Sequence, residues 1–133
     1  MMTVSYVAQI LEWNEKAKRN RMMVFRIAGQ DLFASAQRTV SMGGNMPVDT
    51  GFLRNSVIAQ LNGSTTMTGA DAFVAGIAGM SEGDEVVVGW TADYARHVHD
   101  GTKHMKGTLF LALEVQNWQR YIDSAAKYVG SLP

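Results

Sequence analysis

Apolar residues recur every three or four positions through residues 3–41, and that spacing predicts helix. Val4, Val7, Ala8 and Leu11 form one stripe; Met22, Phe25, Ala28, Leu32 and Ala36 form another. Between them, Asn14-Glu15-Lys16-Ala17-Lys18-Arg19-Asn20-Arg21 is strongly polar. As a single rod the segment reaches about 55 Å, at ~1.5 Å per residue. A compact domain of this size has a radius of gyration of about 14 Å. The helix therefore either breaks near Asn14, a residue suited to capping a second helix, or projects from the body. A projecting stripe of Val4, Val7 and Leu11 needs a partner, because an exposed apolar patch is unstable in water. These residues are candidate subunit contacts. Gly43-Gly44 ends the helix.

The pattern then changes. Pro47 fixes its own φ and pushes Met46 out of the helical region. Gly51 permits a backbone angle that other residues resist. Asp49 and Thr50 can hydrogen-bond nearby amides and lock a turn or a helix start. Leu53, Val57 and Ile58 lead into the core. Ser56–Leu61 reads as a strand. Asn62-Gly63-Ser64-Thr65-Thr66 has loop composition, and Asn62–Gly69 is expected to be a loop available for contacts. In Ala70–Met80, the residues Ala72, Phe73, Ala75, Ile77 and Met80 fit a short helix, while the glycines weaken it. Ser81-Glu82-Gly83-Asp84 reads as a turn. Glu85–Trp90 is the strongest strand. Its valine run points to burial on both faces, or to one face on a helix and the other on a neighbouring subunit.

Tyr94, Ala95 and Val98 stand at helical spacing within Asp93–Thr102, with Gly101 as the stop. From about Thr108, Leu111, Val115, Trp118, Ile122, Ala125 and Val129 predict an amphipathic helix to Gly130. This order implies an α+β fold: a long N-terminal helix and a C-terminal helix packed on a small antiparallel or mixed β-sheet. One domain is expected, with a helical N-terminal region (1–42), a β-rich middle with loops (46–107) and a C-terminal helix (108–130).

Composition narrows the function. The 133 residues suit one domain with a substantial core. Acidic and basic residues balance at 12 each, which argues against a nucleic-acid coat protein and suits self-association. With no cysteine there is no disulfide and no thiolate chemistry. No segment approaches the ~20 apolar residues of a membrane span. The N-terminus lacks a basic region followed by an apolar run, so no secretory signal is expected. The nine methionines suit core filling, with some at adaptable contacts.

The candidate chemistry is sparse. Asp49-Thr50-Gly51 is the tripeptide of aspartic proteases, but such an enzyme needs two aspartates sharing a proton, and only one copy is present. A turn explains the tripeptide with no catalysis. His97, His99 and His104 lie close together, with Asp93 and Asp100 nearby. A zinc site needs three or four ligands, and residues two apart on a helix do not face one another. A polar subunit contact is the simpler reading, and histidines there would make assembly respond to pH. Lys16, Lys18, Arg19 and Arg21 invite a nucleic-acid reading. The plainer one is a solvated helix face with Glu12 and Glu15 as partners. An intermediate reading is a basic ring facing a channel through which DNA passes without being gripped. Glu82, Asp84 and Glu85 form an acidic turn, read as a solvated loop. No phosphate-cradling loop, activated nucleophile or paired carboxylates appear. No cofactor, metal ligand set or catalytic residue is therefore expected.

One resemblance joins these parts. Pro47-Val48-Asp49-Thr50-Gly51-Phe52-Leu53-Arg54-Asn55-Ser56-Val57, followed some forty residues later by Tyr94-Ala95-Arg96-His97-Val98-His99-Asp100-Gly101-Thr102, resembles the neck, or minor tail-component, family of long-tailed double-stranded DNA bacteriophages. That family is similar in its pattern Pro-x-Asp-Thr-Gly-x-Leu-x-x-Ser, then Gly-x-x-x-x-Tyr-Ala-x-x-Val-Glu-x-Gly-Thr, then a closing helix. Gly89, Tyr94, Ala95, Val98, Gly101 and Thr102 fall in step, while His99 stands where the family usually has an acid. The likeness covers roughly residues 20–128. It implies a structural virion protein of the head–tail junction, not an enzyme. Copies would form a ring, a hexamer, around the DNA channel and connect the head connector or stopper to the tail proteins. DNA would pass without sequence-specific binding. The protein would sit in the virion neck or tail, after assembly in the host cytoplasm. Pro47, Asp49, Thr50, Gly51, Leu53 and Ser56 would be a structural turn, and Tyr94, Ala95, Val98, Gly101 and Thr102 a structural corner. Val4, Val7, Leu11, His97, His99 and His104 would be subunit contacts. Lys16, Lys18, Arg19 and Arg21 would face the channel. A tail terminator capping the tail tube is a close variant. A small metal-dependent hydrolase and a DNA-binding module are the readings from other classes.

Overall fold

A computed structural model describes residues 2–48 and 51–132, with side chains described except at 2–15, 65 and 66. Asp49 and Thr50 of the predicted turn lie outside the described residues, as do the side chains of Val4, Val7 and Leu11. The fold is α+β. A long helix, α1 (Met2–Ala36), leads through a short 3-10 turn (Val40–Met42) to α2 (Phe52–Asn55). Strands β1 (Val57–Leu61) and β2 (Ser64–Thr68) form a hairpin, followed by α3 (Ala72–Ala78) and β3 (Val86–Trp90). Helices α4 (Ala95–Asp100), α5 (Ala112–Val115) and α6 (Trp118–Gly130) complete the chain.

The sheet has the order β2-β1-β3 and is antiparallel throughout. Helix α3 packs on the sheet, and α1 lies against both α3 and α6. Ala28, Leu32 and Ala36 of the second α1 stripe are buried, and so are Phe73 and Ile77 of α3 and Ala125 and Val129 of α6, whereas Phe25 of the α1 stripe and Val115 of the C-terminal stripe are exposed. Gly76 is required where α3 crosses the sheet, because a Cβ there would stand 2.8 Å from the Ala59 Cβ.

Several sequence expectations are corrected. Helix α1 is a single element with no break at Asn14, and it ends at Ala36, not at Gly43-Gly44. It stops because the next residues make tertiary bonds instead of helical ones. The Met46 N–H donates to the Arg38 carbonyl and the Val40 N–H to the Met46 carbonyl, at 3.1 Å each. The supposed loop after Leu61 is a strand. Asn62 (φ 52°) and Gly63 (φ 85°) make the two-residue turn that matches strand twist. Of the two readings of the valine run, burial on both faces is excluded, because Val87 is 51% exposed. Val86, Val88 and Trp90 pair with Leu61, Ala59 and Val57, on the face that meets α3, while Val87 points to the other face.

The C-terminal helix is not continuous from Thr108. It is α5, a break at Gln116-Asn117, and α6. The Asn117 Nδ2 donates to the Leu113 carbonyl at 3.1 Å. Such back-bonding competes with the helical ladder, and here it accompanies the interruption.

Candidate functional site

The two sequence motifs meet in space. Met46 and Leu53 from the turn pack with Ala92, Ala95 and Phe110 in one buried cluster, and Trp90, Val98 and Leu111 close around it. The Phe52 and Tyr94 rings lie 6.1 Å apart above it. The turn follows from local chemistry. Gly51 has φ 82°, the left-handed conformation that favours glycine, and it starts α2. Ser56 ends α2: its N–H and hydroxyl both donate to the Leu53 carbonyl, at 3.0 and 2.7 Å. The Ser56 carbonyl in turn accepts both the N–H and the hydroxyl of Thr91, each at 2.9 Å. The turn is thereby tied to the end of β3.

The corner is equally determined. Gly101, at φ 90°, ends α4, and its N–H donates to the His97 carbonyl at 2.7 Å. The loop beyond folds back, with Thr108 N–H on the Val98 carbonyl and Leu109 N–H on the His99 carbonyl, both at 3.0 Å. Thr102 closes the small loop with Met105.

The histidines diverge. His97 and His104 are exposed, whereas the His99 side chain is 20% exposed. The Ala112 N–H donates to His99 Nε2 at 3.0 Å. An N–H only donates, so Nε2 accepts, and Nδ1 carries the proton and donates to Asp100 Oδ1 at 2.7 Å. The ring also meets Phe110 edge-to-face at 5.1 Å, and Phe110 meets Trp90 at 5.0 Å. Trp90, Ala95, Arg96, His99, Phe110 and Leu111 line a shallow cavity of about 160 Å³. Among the described residues no group of three or more His, Cys, Asp or Glu is placed to hold a metal ion.

Sequence reasoning missed the polar centre of this region. Gln37 is 2% exposed. Its Nε2 donates to the Arg54 carbonyl at 2.8 Å and to the Ala70 carbonyl at 2.9 Å. Its Oε1 accepts from Trp90 Nε1 at 2.9 Å, and its own carbonyl accepts from Arg54 Nε at 3.0 Å. One side chain thus joins the end of α1, α2, the entry to α3 and β3. Its only sequence signal is a polar residue just beyond an apolar stripe, which is too common to single out.

The basic stretch of α1 is part solvated, part engaged. Lys16, Lys18, Arg19 and Arg21 are exposed, and Arg21 pairs with Glu82 at 2.9 Å. Arg26, which the sequence did not single out, grips the Met80 carbonyl through Nε and Nη2 at 3.0 and 2.5 Å. The turn Ser81–Glu85 is therefore not simply solvated. Asp84 accepts the Ser81 N–H at 2.8 Å and an Asn62 side-chain N–H at 3.0 Å.

These contacts predict a pH dependence. The Ser81 N–H, then Asn62, hold the Asp84 carboxyl below its ordinary 3.8. The hydrogen bond from His99 is the main reason Asp100 is also lowered from 3.8. Between those lowered values and 3.8 the unfolded chain binds protons that the folded chain refuses, so stability rises with pH there. Both contributions are complete above that range and fade as pH falls through the folded values. Urea melts from about pH 2.5 to 6 should show the midpoint dropping at the acid end. The double variant D84N/D100N should lose part of that slope and leave the neutral midpoint lower. An unchanged slope would contradict the assignment.

No known protein family matches the chain, and no curated protein or solved structure matches it. No helix among the described residues is long and apolar enough to cross a membrane.

Proposed function

We propose that this chain is a structural subunit of the head–tail junction of a long-tailed bacteriophage, in which copies close into a ring, a hexamer, around the DNA channel. The carrying observation is the convergence of the turn and the corner, far apart in sequence, on one apolar cluster. Residues that the resemblance treats as two motifs act as a single scaffold. Above that scaffold lies apolar surface: Phe52 is 61% exposed and Tyr94 41%, with Val48 exposed beside Pro47. Such a surface suits the patch-to-different-patch contact by which rings close. His99 supplies support of another kind. Its unprotonated Nε2 accepts a backbone N–H, the role that a carboxylate would take where the family has an acid. Lys16, Lys18 and Arg19 of α1 are an exposed basic stretch suited to a channel wall. The partners would be the connector or stopper on the head side and the tail proteins on the other. A tail terminator would use the same contacts, and no observation favours it over the neck.

Light scattering behind gel filtration tests this reading, run on the chain alone and with isolated head connectors as template. The expected result is a six-copy assembly, on its own or on the connector. Phe52→Ser should abolish that assembly while the far-ultraviolet circular dichroism stays unchanged. A chain that forms no six-copy assembly either alone or on the connector, or a Phe52→Ser variant that assembles normally, would remove the proposal.

A further inference from the structure

The outermost strand of the sheet leaves one row of its backbone groups without a backbone partner among the described residues. β3 pairs with β1 alone and forms one edge of the sheet. The Thr91 N–H donates to the Ser56 carbonyl, and the Asn62 N–H to the Glu85 carbonyl. Bonded residues alternate in an antiparallel ladder. Glu85, Val87, Gly89 and Thr91 therefore direct their backbone groups to β1. Val86, Val88 and Trp90 direct theirs to the open edge, where no backbone bond among the described residues meets them. The opposite edge is different: β2 pairs with β1 through a register shift at Ala59/Gln60, and such bulges blunt an edge. β3 has no shift against β1, no proline and no charged residue.

We infer that β3 is a self-pairing edge, and that its occupant is the β3 of a second copy, antiparallel about a two-fold axis through Val88. In that register Val88 faces Val88 of the second copy, and Val86 faces Trp90. All are bonded pairs, so every outward N–H and C=O of the strand finds a partner. The alternate positions fit as well. Val87 stands opposite Gly89 of the other copy. Val87 is exposed, and a Cβ placed on Gly89 would meet nothing within 4 Å. Each copy thus offers a projecting valine and an empty place to receive one. The result is a six-stranded sheet with α3 on one face in both halves. Zero net charge leaves little to hold the copies apart. This contact is isologous and closes on itself, so it is separate from a head-to-tail ring contact, pairs copies that have not entered a ring, and goes beyond the neck reading.

Two variants of the full chain test it. Val88→Pro removes an outward donor and no bond to β1, a position where an edge strand tolerates proline. It should weaken dimerisation about thirtyfold by light scattering across a dilution series, since one bond is lost from each copy. The chain has no cysteine, so V87C/G89C can form only designed disulfides. Non-bonded antiparallel neighbours lie about 4.5 Å apart at Cα, within disulfide reach. The expected result is a dimer band on non-reducing gels that reduction abolishes. A wild-type chain that stays monomeric throughout the series, or V87C/G89C that gives no dimer band, overturns the inference. A six-copy assembly with no dimer at any point of the dilution series overturns it and leaves the neck proposal standing. A dimer lost in Val88→Pro, with no six-copy assembly either alone or on the connector, does the reverse.

Discussion

Gln37→Ala should cost about 3–5 kcal/mol of stability, since it strips partners from several hydrogen-bonding groups at once and each orphaned group costs about 1–3. The orphans are the Trp90 indole N–H and the carbonyls of Arg54 and Ala70. A domain of this kind has a total of about 5–15 kcal/mol, so the variant should lie near the edge of folding. In urea the midpoint should fall with little change in slope, because the surface exposed on unfolding is nearly the same. Gln37→Glu separates the causes. A carboxylate can still accept from the Trp90 indole, but it cannot donate to the two carbonyls, and it brings a charge into a nearly closed site. It should be at least as damaging as the alanine. A small effect from both would mean that water reaches this centre and replaces the amide.

Gly107→Ala should cost about 2–4 kcal/mol, a backbone clash with no flexible side chain to yield. A Cβ at Gly107 would lie 2.5 Å from the His99 carbonyl oxygen and 2.5 Å from the Asp100 carbonyl carbon. The return loop beyond α4 would have to swing away, and the Thr108 and Leu109 bonds onto Val98 and His99 would be lost with it. The Ala112 N–H would then lose its hold on His99 Nε2. Gly107→Ala should therefore change the His99 ring signals in NMR as well as the melting midpoint. A variant with a lowered midpoint and unchanged His99 signals would locate the damage elsewhere. Gly101 belongs to the same joint, because a Cβ there would stand 2.6 Å from the Gly107 nitrogen.

Both predictions concern residues whose importance is spatial, and here the sequence and the structure part company. Periodicity alone was enough for the buried stripe of α1 from Ala28 to Ala36, for Ala125 and Val129 of α6, for β1 and β3, and for the Gly101 stop of α4. Each depends on neighbours within one or two turns or along one strand, so local spacing carries it. The hairpin at Asn62-Gly63 was missed: that dipeptide favours the two positive φ angles a tight turn requires, but the loop composition around it masked the signal.

Tertiary structure decided the rest. Helix α1 stops at Ala36 because residues eight to fifty-three positions away bond Arg38 and Gln37, and nothing in the sequence announces that Met46, Arg54, Ala70 and Trp90 do so. His99 turns inward and His97 outward because Ala112 supplies a donor on only one side of α4. The valine run of β3 is half exposed because α3 covers one face of the sheet. Local spacing can specify which residues share a face. Which face is covered, and which polar groups are paired, depends on contacts between distant segments, and those exist only once the chain has folded.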